Sequence, residues 1–286
     1  VSPNAQCIYF VNENIGFAGH SYGLLTKTTN GGESWFSVIP DTISAGSTHY
    51  GIFFLNENYG FSVGKLATNF DMIYKTTDGG ATWDLKTNII AGTFRSVAFA
   101  DENKGIVVGE KLKSIYTTDG GATWNPSTFV TLPPGTAEPH LRKVIFKDNV
   151  NATASGDGLI LNSTDAGATW NYAPVTNLVE SITGISFKDS QTGWAVGTKS
   201  TSPRKVGLYK TTDGGLNWVD LVDTLIFPGI ETVYDVSTHG EFVWICGSPS
   251  NIFTNEPLTG LTSEELLPAS ISLSQNYPNP FNPSTK

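Results

Sequence analysis

The chain has 286 residues, with 17 basic against 26 acidic side chains and a net charge of −9. That balance excludes a nucleic-acid partner, which needs dense Lys and Arg against phosphate. No apolar run reaches the roughly 20 residues of a membrane helix, and the polar opening after Val1 predicts no signal peptide within the chain. Aromatic residues make up 12%, among 30 glycines and 15 prolines, a mixture suited to short strands and tight turns.

In chain order, the first recognisable unit is Ile8-Tyr-Phe-Val-Asn-Glu-Asn-Ile-Gly-Phe-Ala-Gly19. It reads as a strand, a reversing turn and a second strand. A third strand leads into Thr28-Thr-Asn-Gly-Gly-Glu-Ser-Trp35, and a fourth is predicted from the tryptophan. The strand pair returns at Ile52, Val97, Val144 and Ile185, and in worn form up to Gly247. The second element, with its turn residue and its tryptophan, recurs as Asp78 with Trp83, Asp119 with Trp124, Asp165 with Trp170 and Asp213 with Trp218; Asn30 and Trp35 are the first such pair. A sixth copy has decayed near Ile252–Glu256. A period of about 40 to 50 residues with four strands per copy predicts propeller blades. The fold expected is all-β, a β-propeller of six four-stranded blades over residues 1–267, or seven if sequence upstream supplies another.

The Asp-Gly-Gly core suits a tight turn, since glycine reaches φ > 0 cheaply and aspartate bonds nearby backbone amides. The tryptophan is expected to pin the hairpin to its blade. These positions therefore read as structural. One carboxylate per box falls short of the six to eight oxygens calcium takes, so neither a metal nor another cofactor is expected. The pattern Ser/Thr-x-Asp-x-Gly-x-Thr/Ser-Trp resembles the Asp-box, or BNR repeat, of sialidases, sortilin-type receptors, some endoglucanases and Ycf48-type photosystem II assembly factors. The layout is most similar to the Ycf48-like group. The resemblance implies architecture, because those families share a fold and not a chemistry.

Strand order places box turns and Asn-Glu-Asn turns on one rim and the variable loops on the other, where function usually sits. Candidates for a ligand rim are His20, His49, His140, Arg95, Arg142 and Arg204. Arg95 and Arg142 each stand four residues before a strand-one phenylalanine and so hold equivalent places in two repeats. Arginine forks bind carboxylate or phosphate. Cys7 and Cys246 lie in the first and last repeats; they are either two buried thiols or a pair. No two carboxylates are singled out by spacing as a glycosidase requires, which favours a binding, adhesion or structural module over the alternative, an extracellular glycoside hydrolase of sialidase-like type.

Residues 268–286 differ in kind. Their run Leu273-Ser-Gln-Asn-Tyr-Pro-Asn-Pro-Phe-Asn-Pro-Ser-Thr285 resembles the opening of the type A sorting domain of the type IX secretion system. The resemblance implies a linker and the start of a truncated module, contact with that secretion machinery, and a secreted or outer-membrane-surface location in a Bacteroidetes-like bacterium. A surface protein, a glycan or another copy of the chain would then be its partner. Asp41-Thr-Ile43 and Asp223-Thr-Leu225 fit the O-glycosylation pattern of the same bacteria, which makes Thr42 and Thr224 candidate sugar sites.

Overall fold

The computed structural model describes residues 4–38, 46–68, 70–86, 92–132, 138–175, 180–199, 205–221, 232–248, 251–255 and 274–275. The chain is all-β, with six four-stranded antiparallel blades of the β-propeller class. It divides into two compact units, Val1–Tyr172 and Ala173–Lys286.

The first unit holds four sheets. They are β1 (Ala5–Phe10), β2 (Gly16–His20), β3 (Leu25–Thr28) and β4 (Phe36–Ser37); β5 (Thr48–Phe54), β6 (Gly60–Lys65), β7 (Asp71–Thr76) and β8 (Asp84–Leu85); β9 (Phe94–Phe99), β10 (Gly105–Gly109), β11 (Lys113–Thr117) and β12 (Asn125–Pro126); and β14 (Leu141–Phe146), β15 (Ala152–Gly156), β16 (Leu159–Ser163) and β17 (Thr169–Tyr172). A short β13 (Thr128–Phe129) adds to the last of these in parallel. The first strands of successive sheets pack on one another, β1 on β5, β5 on β9 and β9 on β14.

Aromatic joints lock the first sheet to the second and the second to the third. Phe17 of β2 stacks on Phe54 of β5, ring centroids 4.0 Å apart, and both meet the edge of Trp83. Phe61 of β6 repeats this on Phe99 of β9 at 4.1 Å, again under a tryptophan, Trp124. Ile106 of β10 fills the place against Gly167 and the cluster around Trp170. Burying one such side chain contributes roughly 1.5–3 kcal/mol. The register puts Thr153 of β15 at the same position, where its hydroxyl is spent on Asn162 at 2.8 Å.

The second unit has two sheets, β18 (Ser181–Phe187), β19 (Gly193–Lys199), β20 (Lys205–Thr211) and β21 (Val219–Asp220), then β22 (Thr232–His239), β23 (Phe242–Ser248), β24 (Asn251–Thr254) and β25 (Ser274–Gln275). Trp194 of β19 takes the joint position here and packs with Val233, Val236 and Phe253. The fourth strand of the last sheet comes from the tail, not from a box: Gln275 pairs with Phe253 and Ser274 with Thr254. In place of a box turn, Asn255 accepts from the Val243 N–H at 2.7 Å and donates to the Glu241 carbonyl at 3.0 Å.

The box glycines explain the motif. The second glycine of the second box, Gly80, has φ +82, and a Cβ there would come within 2.7 Å of the Phe17 ring. In the fourth box Ala166 stands where the others have the first glycine and holds φ 56. A left-handed conformation costs an L-residue about 1–2 kcal/mol, so Ala166→Gly is expected to raise stability by about 1 kcal/mol after the extra unfolded-state entropy is subtracted. An unchanged or lower urea midpoint would show that the neighbouring contacts of Ala166 outweigh the strain.

Candidate functional site

The two ends of each sheet differ. At one end the box turn and the Asn-Glu-Asn turn are bonded to each other: the N–H groups of Gly31, Gly79, Gly120, Ala166 and Gly214 donate to the carbonyls of Asn14, Asn58, Asn103, Val150 and Gln191. Inside the second box, Asp78 Oδ1 accepts from Thr76 Oγ1 and the Thr82 N–H, while Oδ2 accepts from Thr82 Oγ1 at 2.6 Å. Asp119, Asp165 and Asp213 repeat the pattern. Asn30 reproduces it with its amide, donating to Ser34 Oγ at 2.9 Å. The bonds from Thr82 and from Thr123 hold Asp78 and Asp119 at about 2, well below the usual carboxylate range. Both oxygens of each carboxylate are already engaged, which suits a turn brace. Lysines from the preceding sheet tie down this end as well: Lys27 Nζ donates to the Gly79 carbonyl at 2.7 Å and Lys75 Nζ to that of Gly120 at 2.8 Å. Trp35 and Trp218 donate to their own box carbonyls at Gly32 and Gly215, and Trp170 donates to Ser114 Oγ.

The opposite end carries a feature the sequence reading did not find. Every first strand contains a β-bulge at the same place. The residue skipped by the pairing is Gln6, Tyr50, Arg95 and Arg142 in the four sheets of the first unit, and Thr183 and Tyr234 in the two sheets of the second. A bulge leaves one residue unpaired and re-aims its side chain. Arg95 and Arg142 therefore sit inside strands and not in loops, and their equivalence is that of two bulges. The available signal was a polar or aromatic residue breaking strand alternation four positions before the terminal phenylalanine. Alternation alone does not show which residue is skipped.

Each arginine is held by an acid of its own sheet. Arg95 Nη2 pairs with Glu110 Oε1 and the guanidinium lies over the Tyr50 ring, 4.2 Å from its centroid. Arg142 Nε donates to Asp157 Oδ1 at 2.8 Å. Glu110 and Asp157 are the residues directly after β10 and β15, so the two pairs are copies. Burial works against ionisation of Glu110, but the hydrogen bond and charge of Arg95 hold its carboxyl below the ordinary value. Lys113 Nζ and Asp71 Oδ2 form a third pair at 2.8 Å between the second and third sheets. Burial raises the Asp71 carboxyl against the pull of Lys113.

The loops here are strained. Lys111 and Leu112 have φ 56 and 55, and Glu138 has φ 23. They are braced together: the Leu112 N–H donates to the Pro139 carbonyl at 2.7 Å, the Lys111 N–H to His140 Nδ1 at 3.4 Å, and the Asp157 N–H to the His140 carbonyl at 3.0 Å. Strain of this kind, kept in place by its surroundings, is concentrated at ligand and switch sites.

The remaining rim candidates separate. His49 is buried, with Nδ1 accepting from Ser62 Oγ at 2.8 Å and Nε2 donating to the Gly23 carbonyl at 3.3 Å, so it joins the first two sheets and does not face a ligand. Burial lowers it to about 4. His20 is half-buried with Nε2 at 2.9 Å from Thr26 Oγ1, and burial lowers it too. Neither cysteine is in a disulfide; burial pushes the Cys7 thiol up to about 12, which makes it unreactive. Arg204, Thr42, Thr224 and the tail apart from residues 274–275 lie outside the described residues. Among the described residues no three His, Cys, Asp or Glu side chains gather as a metal site, and no helix is long and apolar enough to cross a membrane.

Comparison with known proteins agrees with the architecture. The family described as photosynthesis system II assembly factor YCF48 matches residues 85–184. Photosystem II assembly lipoprotein Ycf48 of Synechococcus sp. (strain CC9902) is 28% identical over 201 residues, which are 68% of this chain and 55% of that protein. The chain thus spans little more than half the length of this curated relative. Among solved structures, an ancestral GH74 enzyme superposes with a TM-score of 0.70 at 16% identity, over 87% of this chain and 36% of the other. The GH74 enzyme of Niastella koreensis gives 0.67 at 16% identity, over 87% of this chain and 44% of the other. At such identity the likeness is one of fold alone. Together these matches support a propeller of the BNR type.

Proposed function

We propose that the chain is a non-catalytic binding module whose partner surface, in the first unit, is the bulge row Gln6, Tyr50, Arg95 and Arg142. The observation that carries the reading is the repeated bulge: it presents one variable polar or aromatic residue per sheet, while the strands around it are committed to the core. Tyrosine and arginine dominate binding hot spots. Arg142 engages Asp157 through Nε, so its orientation is set while its terminal nitrogens make no hydrogen bond among the described residues. The guanidinium of Arg142, a fork suited to carboxylate or phosphate, favours an anionic feature on the partner. A protein partner is supported by the Ycf48 relative, an assembly factor by name; a surface glycan is the other partner class. The tail's resemblance to a type IX sorting domain supports export to the cell surface.

The test is affinity capture from the source bacterium's envelope and medium, using the intact chain and the double variant Arg95→Gln/Arg142→Gln. Loss of a hot-spot arginine removes on the order of 2 kcal/mol or more, so recovery of the specific partner is expected to fall at least about tenfold. Equal recovery sinks the row as the partner surface. Glycoside hydrolase activity shares only the fold of the GH74 enzymes in its favour; turnover of a polysaccharide that disappears in Glu110→Gln or Asp157→Asn would replace the binding reading with it.

A further inference from the structure

Asn30-Gly31 is the single Asn-Gly pair in the sequence, and it forms the turn of the first box. A side-chain amide followed by glycine is open to attack by the chain itself, because no Cβ shields the glycine nitrogen. The reaction balances with water alone. The Gly31 nitrogen bonds to Asn30 Cγ and closes a succinimide ring, and the Asn30 amide nitrogen leaves as ammonia with the Gly31 proton. Water then opens the ring at Cγ to give aspartate, or at the main-chain carbonyl to give isoaspartate. The other boxes lack this route. Asp78, Asp119 and Asp213 stand before glycine but carry a carboxylate, whose oxygen leaves poorly, and Asp165 is followed by Ala166.

The closed box opposes the attack. Asn30 Oδ1 accepts from Thr28 Oγ1 at 2.9 Å and from the Ser34 N–H at 3.0 Å, while Nδ2 donates to Ser34 Oγ at 2.9 Å. The amide is thereby turned towards Ser34. The Gly31 N–H, whose nitrogen must attack, donates to the Asn14 carbonyl at 2.9 Å. Thr28 is fully buried and also accepts from the Gly32 N–H at 2.9 Å, so the frame holding the amide is anchored in β3. Attack needs the reacting atoms about 3–3.5 Å apart with their orbitals aligned, and both groups must be released before they can take that geometry. Asn30, Gly31 and Ser34 are exposed, so water for ring opening is at hand.

We propose that Asn30 is a deamidation site gated by the first box: the closed turn shields it, and opening of the turn releases it to become aspartate or isoaspartate. The two products differ in their fate. With aspartate the contact to Ser34 reverses, the hydroxyl donating to the carboxylate as Thr82 Oγ1 does to Asp78 Oδ2 at 2.6 Å, and the box closes as the others do. Isoaspartate adds a methylene to the main chain and carries the Gly31 N–H away from the Asn14 carbonyl, so the box stays open. The site lies at the opposite end of the sheet from the bulge row and is independent of it.

The test is peptide mapping by mass spectrometry of the intact chain, aged in mildly alkaline buffer both folded and in urea. The amide-to-acid mass change in the peptide containing Thr28–Trp35 is expected at least about tenfold more slowly in the folded chain, because several hydrogen bonds must open together. Ser34→Ala, an exposed change four residues away, removes one of those bonds. It is expected to speed the folded reaction about twofold to tenfold while leaving the rate in urea unchanged. The Asn30→Asp chain is expected to keep the urea midpoint of the parent and to show no mass change at this peptide. Equal rates in the folded and unfolded chain, or a Ser34→Ala chain that ages no faster than the parent, overturn the gate. A lower midpoint in Asn30→Asp overturns the closed aspartate box.

Discussion

Phe99→Ala is expected to lower unfolding free energy by about 3–5 kcal/mol, whereas Phe10→Ala, the same position of the first repeat, is expected to cost about 1 kcal/mol. Both residues end a first strand, and both rings cover a glycine, Gly105 and Gly16. Their surroundings differ. Phe99 is 4% exposed, stacked on Phe61 with Trp124, Tyr59 and Phe53 around it. Phe10 is 43% exposed and meets only the edge of Trp35, at 6.0 Å, among the described aromatic rings. Removing Phe99 leaves a cavity that close-packed neighbours cannot refill, while at Phe10 water already occupies part of the surroundings. Urea midpoints of the two variants decide it. Equal losses would mean that Phe10 is covered in solution.

Acid is expected to loosen the joint between the first two sheets before the boxes fail. His49 falls from 6.5 to about 4 on folding because burial disfavours the imidazolium. The unfolded chain therefore binds the proton more readily, and stability falls as protons are added. The contribution is complete above pH 6.5, declines as pH drops through the window to 4, and is lost below it, about 3 kcal/mol in all. Protonation would also place a donor at Nδ1 against Ser62 Oγ, which then must turn its own hydrogen towards the Gly51 carbonyl 3.3 Å away. Asp78 and Asp119 act in the same direction at lower pH, between 3.8 and about 2. Urea midpoints between pH 7 and pH 4 should thus slope downward in the native protein. In His49→Gln the slope over that interval should largely vanish, with a lower midpoint at pH 7. A His49→Gln variant keeping the full slope would assign the acid response to other groups.

Much of the fold was written in the repeat. The Asp-Gly-Gly turn, the terminal phenylalanine and the tryptophan are local signals, because turn conformation and strand alternation depend on residues adjacent in the chain. Asn30, which stands where the other boxes have aspartate, makes the same brace. The candidate site was only half legible. Arg95 and Arg142 stood out by residue type and equivalent placement, but the bulge that makes them equivalent was not visible, and neither were their partners Glu110 and Asp157. His49 looked the same as His20 or His140 in a list of variable residues, and burial separated it from both.

The amino-acid order determined the four-stranded repeat, the turns that end it and the tryptophan-bearing hairpins, since each is settled within a few residues of chain, while the choice between six and seven blades was left to the structure. What tertiary structure decided was everything that depends on pairing across space: which first-strand residue is left over at each bulge, which acid holds each arginine, and which histidine is buried between two sheets. Those outcomes follow from register and from the packing of one sheet on the next, and no short window of sequence contains both partners.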